Sequence, residues 1–551
     1  MSSAVLAGAL AAGGCTPSPQ AAAEAAVGDP AVQDLLRLVP ADTPYAWVGL
    51  AGTSRPFAEK LVKRAEPLLK EAEAALSRAL AQDHSDRPEA RVLRALAAEL
   101  QGKLSLAGLE SLGFEFDTRF VVYGLGLLPA MRLRMRDATA LKATIDRVQQ
   151  ASGVQFPVAN HNGQDYWFTA DHKGTFVVAF VGNDLVAGVA ATAHKDKTLS
   201  LLFGQERPAA SLADTTALKD VVAAHGLGKF SAGFVDIRVI VDAMVGASSG
   251  LNAETAAVVL SGVKPPAECV DEIRGLAGLM PRVVFGTTRV DETGVETRFA
   301  AELRPDLAGG VTAVRTSVPG LDAATAKEVM FGMGSGVDVG KAIELAKVQA
   351  MAVEAAPYKC PDLKFLNDAA REIVQGAPGV PAPVRQLKGF AFALEHASFT
   401  GFIPTDIKGY ATVGVDDPLA MLKTIKGLAP SELTFIPDLQ QEGVGERLNL
   451  AALPVPLPIP FEMFLAGRRD AGLALAVGAD AQKRSSDLLI PSGEAKPLFV
   501  FHMNIGRAMK LLPTGANVSN PALLDLLGSQ GYVVDAGEGG LVFRSWVNFP
   551  E

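Results

Sequence analysis

Residues 174–193 read GTFVVAFVGNDLVAGVAATA, and how this stretch is read decides the fold. Its length and apolar character fit a membrane span, which needs about 20 mostly apolar residues. Asn183 and Asp184 in the middle argue otherwise, because such a polar pair is turn chemistry. What remains is two apolar runs folded back on one another. A second pair of this kind is FEMFLAGRRDAGLALAVG at 461–478. Strands joined by short turns pair antiparallel.

The segments ahead of these hairpins also correspond. MRDATALKATIDRV at 135–148 lies 280 positions before VDDPLAMLKTIKGL at 415–428. Asp137 falls on Asp417, Ala140 on Ala420, Thr144 on Thr424 and Ile145 on Ile425. Each segment follows a strand-like run and opens a helix with aspartate as N-cap. After the hairpins, KFSAGFVDIRVIVDAMVG (229–246) meets PLFVFHMNIGRAMKLLPTG (497–515), a strand entering a helix, with Asp236 opposite Asn504. VVFGTTRVDETGVETRFAAEL (283–303) then meets YVVDAGEGGLVFRSWVNF (532–549), a hairpin with Glu/Gly-rich turns.

Both halves open alike. A strand over Tyr45–Leu50 precedes amphipathic helices over Arg55–Lys70 and Pro88–Gln101; a strand over Glu328–Met333 precedes a helix from Val339. Five features in one order, twice, predict an internal duplication. The repeats run over 36–304 and 316–551, with a Gly- and Pro-bearing linker at 305–315. The expected class is α+β: each repeat an antiparallel sheet with helices packed on one face.

Composition narrows the function. The chain has 551 residues, 20% charged, and a formal net charge of −9. Without a basic run, nothing points to nucleic acid. A mean hydropathy of +0.22 requires much apolar surface to be covered. Beyond residue 30 no uninterrupted apolar stretch of spanning length exists; LPVPLPIPFEMFLAG at 453–467 carries four prolines.

The N-terminus reads as an address. In LAGALAAGGCTPSP (6–19), Ala4–Ala12 forms an apolar run and Ala12, Gly13 and Gly14 are small enough for a peptidase. Cys15 follows directly. This resembles the lipobox of bacterial lipoproteins, whose cysteine is acylated after a signal peptide, here 1–14, is cut away. Two features depart from that pattern: no Lys or Arg precedes Cys15, and Ala12 stands where leucine is usual. Residues 15–35 are then a lipidated tether, flexible over Thr16–Asp29. In the family pattern Thr16 after the cysteine favours the outer membrane, with a periplasmic or surface face. The other cysteines, Cys269 and Cys360, form an even pair suited to an oxidising envelope. They read as a disulfide closing a loop of about 90 residues, or as two separate buried thiols.

LVPADTPYAWVGL at 38–50 also carries a resemblance. With the helix start at Asp137–Ala140 and the hairpin at Val181–Val186, it resembles a group of uncharacterised bacterial envelope proteins that open with L-P-A-D-T. Here Val39 is inserted after the leucine. The resemblance implies an exported α+β protein, often lipid-anchored, with no known activity, and so carries over no catalytic residue.

Motifs for chemistry are weak. GMGSGVDVGKA (332–342) lacks the spacing and the hydroxyl residue of a phosphate loop. GASSG (246–250) has the string of a nucleophile elbow around Ser248, but the run before it reads as helix where an elbow needs a strand. NHNGQDYWFTADHKG (160–174) gathers His161, Asp165, Asp171 and His172, yet its Asn-Gly and His-Lys-Gly are hairpin turns. No catalytic residue, metal ligand or cofactor is expected. Tyr45, Trp47, Tyr166 and Trp167 are candidate ligand contacts if exposed, or core strand residues if not. The expected function is non-catalytic binding or a structural role on the membrane through the lipid anchor, with an envelope protein as partner. The alternatives are a periplasmic carrier of an apolar ligand or lipid, and an envelope hydrolase with Ser248 as first suspect.

Overall fold

A computed structural model of the chain describes residues 19–82, 85–103, 105–170, 174–260, 264–400, 403–452, 461–490, 496–509 and 528–550. Cys15, the signal-peptide reading and the pair Asp171 and His172 lie outside these residues.

The first half contributes strands β1 (Tyr45–Gly49), β2 (Phe120–Leu125), β3 (Leu128–Arg134), β4 (Val158–His161), β5 (Gln164–Ala170), β6 (Gly174–Val181), β7 (Asp184–Ala191), β8 (Ser231–Asp236), β9 (Arg282–Asp291) and β10 (Gly294–Glu302). The second contributes β11 (Phe331–Ser335), β12 (Leu387–Thr400), β13 (Ile403–Val415), β14 (Glu446–Arg447), β15 (Met463–Arg468), β16 (Gly472–Val477), β17 (Phe499–Asn504), β18 (Ser529–Gly537) and β19 (Gly540–Asn548). The helices are α1 (Pro19–Val27), α2 (Pro30–Leu36), α3 (Arg55–Gln82), α4 (Pro88–Leu100), α5 (Leu106–Ser111), α6 (Ala138–Ser152), α7 (Lys195–Leu202), α8 (Ala217–His225), α9 (Ile237–Met244), α10 (Gly250–Val259), α11 (Ala267–Ala277) and α12 (Pro305–Ala313). They continue with α13 (Val339–Ala355), α14 (Lys364–Gly376), α15 (Ala382–Arg385), α16 (Pro418–Leu428), α17 (Ala481–Leu488) and α18 (Ile505–Met509).

The strands form one antiparallel sheet, and the class is α+β. In the first half the spatial order is β4-β5-β6-β7-β3-β2-β1-β8-β9-β10. In the second it is β14-β15-β16-β13-β12-β11-β17-β18-β19. Each half thus places its opening strand between the first arm of one hairpin and a later strand that leads into a helix. β10 and β19 pair along nine residues each and join the halves into a continuous sheet.

Local chemistry explains the matching elements. Asp137 caps α6 by accepting from Thr139 and Ala140 N–H, and Asp417 caps α16 by accepting from Ala420 N–H. Thr144 Oγ1 donates to Ala140 O at 3.0 Å, and Thr424 Oγ1 to Ala420 O at 2.9 Å. Asp236 caps α9, and Asn504 Oδ1 accepts from Arg507 N at the head of α18.

Helices cover one face. In the first half Ala23, Val27, Leu35, Leu36, Leu202 and Val222 of α1, α2, α7 and α8 pack on Val48, Val121, Ala179 and Val186 of the sheet. In the second, Leu321, Ala324 and Ala481 pack on Ala391, Ala393, Ala476 and Val500.

Two segments differ from expectation. The tether is helical from Pro19 and docks on the core, because Ala23 and Val27 sit one turn apart on the inner side of an Ala-rich run. Most of the linker is α12: Pro305 supplies the favoured first-turn proline, and Gly310 lets α12 approach Leu345 of α13, where a Cβ would lie 2.4 Å from Leu345 Cδ1.

Candidate functional site: the open face of the sheet

The register identifies the uncovered face. Trp47 on β1 faces Val122 on β2, which faces Met131, Ala187, Val178 and Trp167 in turn. In the other direction Trp47 pairs with Gly233, then Phe285, Phe299, Phe543, Val534 and Phe499. Phe501 continues through Met333, Phe392, Ala411, Leu475 and Leu465. Side chains of paired residues lie on the same side of a sheet, so these residues form an apolar band. Phe176, Trp47, Phe299, Tyr532, Phe543 and Phe392 are 37–47% exposed.

Among the described residues, no Asp, Glu, Lys or Arg stands on this face from β6 to β15. At about 4.8 Å between strands, that is roughly 70 Å of uncharged surface measured across the sheet. Four of the hydroxyls on it bond in two pairs, Ser231 with Thr287 at 3.0 Å and Thr297 with Ser545 at 2.7 Å across the seam. Rings lie over glycines. A Cβ at Gly233 would meet the Phe285 ring at 2.7 Å, and one at Gly49 the Phe120 ring at 2.5 Å. Edge contacts tie neighbours together, with ring centroids 4.9 Å apart for Trp47 and Phe120 and 5.6 Å for Phe331 and Phe501.

Two depressions mark the face. One of about 390 Å³ lies between Thr169, Phe176 and Val189 of the sheet and Val258 and Val259 of α10. Another of about 280 Å³ lies at the seam, among Thr297, Phe501, Tyr532 and Ser545.

Three of the four candidate contact residues fall on this side. Trp47 and Trp167 belong to the band, and Trp167 meets Phe180 edge-on at 5.7 Å. Tyr45 shares the face but is half-buried; its hydroxyl donates to Leu127 O at 3.4 Å, and burial pushes it up to about 12. Tyr166 points the other way and is buried beside Phe168 and Phe203, as alternation demands of the residue next to Trp167. The phenylalanines that make up most of the band were not singled out by sequence. Their signal is strands that are apolar at every position, as in TFVVAFV, where a half-solvated antiparallel strand alternates with polar residues.

The other motifs resolve into structure. Residues 332–342 pass from β11 into α13, capped by Asp338, which accepts from Lys341 N–H. Ser248 lies in the turn between α9 and α10, with no strand leading into it. His161 and Asp165 flank the β4–β5 turn, and no metal-holding cluster occurs among the described residues. His161 Nε2 lies 2.9 Å from Ser200 Oγ and its Nδ1 3.8 Å from Asp196. This has the order of a catalytic triad, but Ser200 sits in the last turn of α7, the carbonyl end, where the dipole opposes an oxyanion. Asp196 is 93% exposed. Cys269 and Cys360 are buried with sulfurs 2.11 Å apart, linking α11 of the first half to the α13–α14 turn of the second. Glu272 accepts from Lys359 N and Cys360 N at 2.7 and 2.9 Å beside them.

No protein family, curated protein or solved structure matches the chain.

Proposed function

We propose that this protein is an exported, lipid-anchored binding protein of the cell envelope that works without catalysis and holds the acyl chains of a lipid-like amphiphile on the open face of its sheet. The observation that carries the binding reading is the uncharged aromatic and aliphatic band running from β6 to β15. An exposed apolar patch beyond a few hundred Å² marks an interaction site. Acyl chains ask for no hydrogen bonds or charges, and this face offers few. A protein partner would be met by a polar rim and scattered hydrogen bonds. The anchor rests on Cys15 and its lipobox-like setting. The shared strand order supports origin of the two halves by duplication, which would double the area of such a face.

The test is extraction of the purified full chain with organic solvent and mass spectrometry of the extract, beside titration with a fluorescent fatty acid. Bound amphiphile and saturable titration are expected, with affinity down about tenfold or more in Phe299→Asp and Phe543→Asp. An empty extract together with non-saturable titration refutes the reading. For the anchor, Cys15→Ala should move the protein from the membrane to the soluble fraction; equal partitioning of both forms rejects it.

A further inference from the structure

We propose that Arg298 and Arg544 form a binding site for a phosphate-type oxyanion on the helix-bearing side of the seam between the two halves. Arg298 on β10 and Arg544 on β19 are direct register partners. Their Cβ atoms are therefore about 5 Å apart, a distance at which like charges on opposed strands destabilise a sheet. No ion pair relieves this repulsion among the described residues, although the Glu296 and Asp535 carboxylates attract Arg298 from further off. Among the described residues neither guanidinium makes an ion pair or hydrogen bond, and Arg298 Nε is buried without a partner.

The nearby carboxylates are engaged elsewhere. Asp535 is paired with Arg315 Nη2 at 2.7 Å, and Glu296 lies 3.9 Å from Arg289 Nε. Glu302, further along β10, is held by His225 and Arg282. Burial, and then Arg544, push the Arg298 guanidinium below its ordinary value, by more than the attraction of Glu296 and Asp535 restores.

The place lies between two helices, with Arg298 half-buried and Arg544 exposed. Arg298 pairs with Gly286, which presents no side chain, and the carbonyl end of α8 at Gly226 lies beside Arg298 Nη1, where its partial negative charge offsets only part of the two full cationic charges. On the other flank α12 packs on β18 and β19. Two planar forks on directly opposed residues of adjacent strands can meet a tetrahedral dianion, whose oxygens accept paired N–H bonds and cancel both charges. The phosphate can come from a small soluble ester or from a lipid headgroup. This site is on the opposite face from the apolar band and does not depend on it.

The experiment is thermal unfolding and calorimetric titration of the full chain with inorganic phosphate, against chloride at matched ionic strength. Wild type should show a saturable rise in Tm with phosphate alone. Arg298→Gln and Arg544→Gln should each lower the affinity by about tenfold or more, and the double variant should abolish the shift. Arg544→Gln should also raise Tm without ligand, because it removes the opposed charge; a folding defect would lower it. Arg371→Gln on exposed α14 serves as control and should bind as wild type. A parallel arm uses vesicles with and without phosphatidic acid: capture on the acidic vesicles, lost in the double variant, assigns the phosphate to a headgroup, and phosphate binding without capture assigns it to a soluble ester. An unsaturable wild-type response, or an equal shift in the double variant, overturns the site.

Discussion

Removing the Cys269–Cys360 bridge should destabilise the protein by an amount set by the loop it closes. The two residues are 91 positions apart, and the enclosed chain carries β9, β10, α12, β11 and α13, the strands and helices around the seam. Cross-linking removes loop-closure entropy from the unfolded chain; for a loop this long the chain-entropy relation gives about 4–5 kcal/mol. The folded arrangement has a second support in Glu272, whose carboxylate holds the Lys359 and Cys360 amides. The loss should therefore appear chiefly as a lower Tm of an otherwise native fold. At roughly 2–4 °C per kcal/mol for a cooperative unit of 150–250 residues, the expected fall is about 8–20 °C. The assay is scanning calorimetry of wild type with and without reductant, beside the double variant Cys269→Ser, Cys360→Ser. A thiol count on the denatured chain supplies the check: at most one of the three cysteines reacts when the bridge is closed, and Cys269 and Cys360 both react after reduction. A closed bridge whose removal shifts Tm by less than about 2 °C would refute the chain-entropy argument.

Three further outcomes are expected. Burial alone would raise the Glu302 carboxyl, but hydrogen bonds from His225 and Arg282 hold it at about 2, below its ordinary 4.5; stability on the order of 2–3 kcal/mol is present above pH 4.5 and lost as pH falls toward 2, and denaturant titrations should show that slope flattened in Glu302→Gln. Asp137→Ala and Asp417→Ala remove equivalent N-caps and should each cost about 1 kcal/mol; urea midpoints that move for one and not the other contradict the correspondence of α6 and α16. Gly113 has φ 88° and an added Cβ would fall 1.9 Å from Asp137 O, so Gly113→Ala should lose roughly 3 kcal/mol or more, and wild-type-like chemical denaturation would show that this turn can relax.

The parts legible in the sequence were those governed by neighbours along the chain. The Asn183–Asp184 turn, the aspartates before α6 and α16, and the Asp236 and Asn504 helix starts act over two to four residues, and the structure places each at the expected kind of boundary. Segments whose conformation depends on docking were misread. Pro19–Val27 looks like a tether until Ala23 and Val27 find a core, and 305–313 looks like a linker until α12 finds β18, β19 and α13. The band was half legible: Trp47 and Trp167 stood out as aromatics, whereas Phe299 and Phe543 gain meaning only by facing each other across the seam.

By itself the sequence determined the α+β class, the antiparallel hairpins, the recurring order of elements and the even pair Cys269 and Cys360, because periodicity, capping and turn chemistry are local. Only the tertiary structure decided that the halves share one sheet, that one of its faces carries an open band without charged side chains among the described residues, and that Arg298 and Arg544 face each other with no ion pair among them. Each of these depends on which strand lies beside which, and the β10–β19 pairing joins residues nearly 250 positions apart, a separation over which no local pattern carries information.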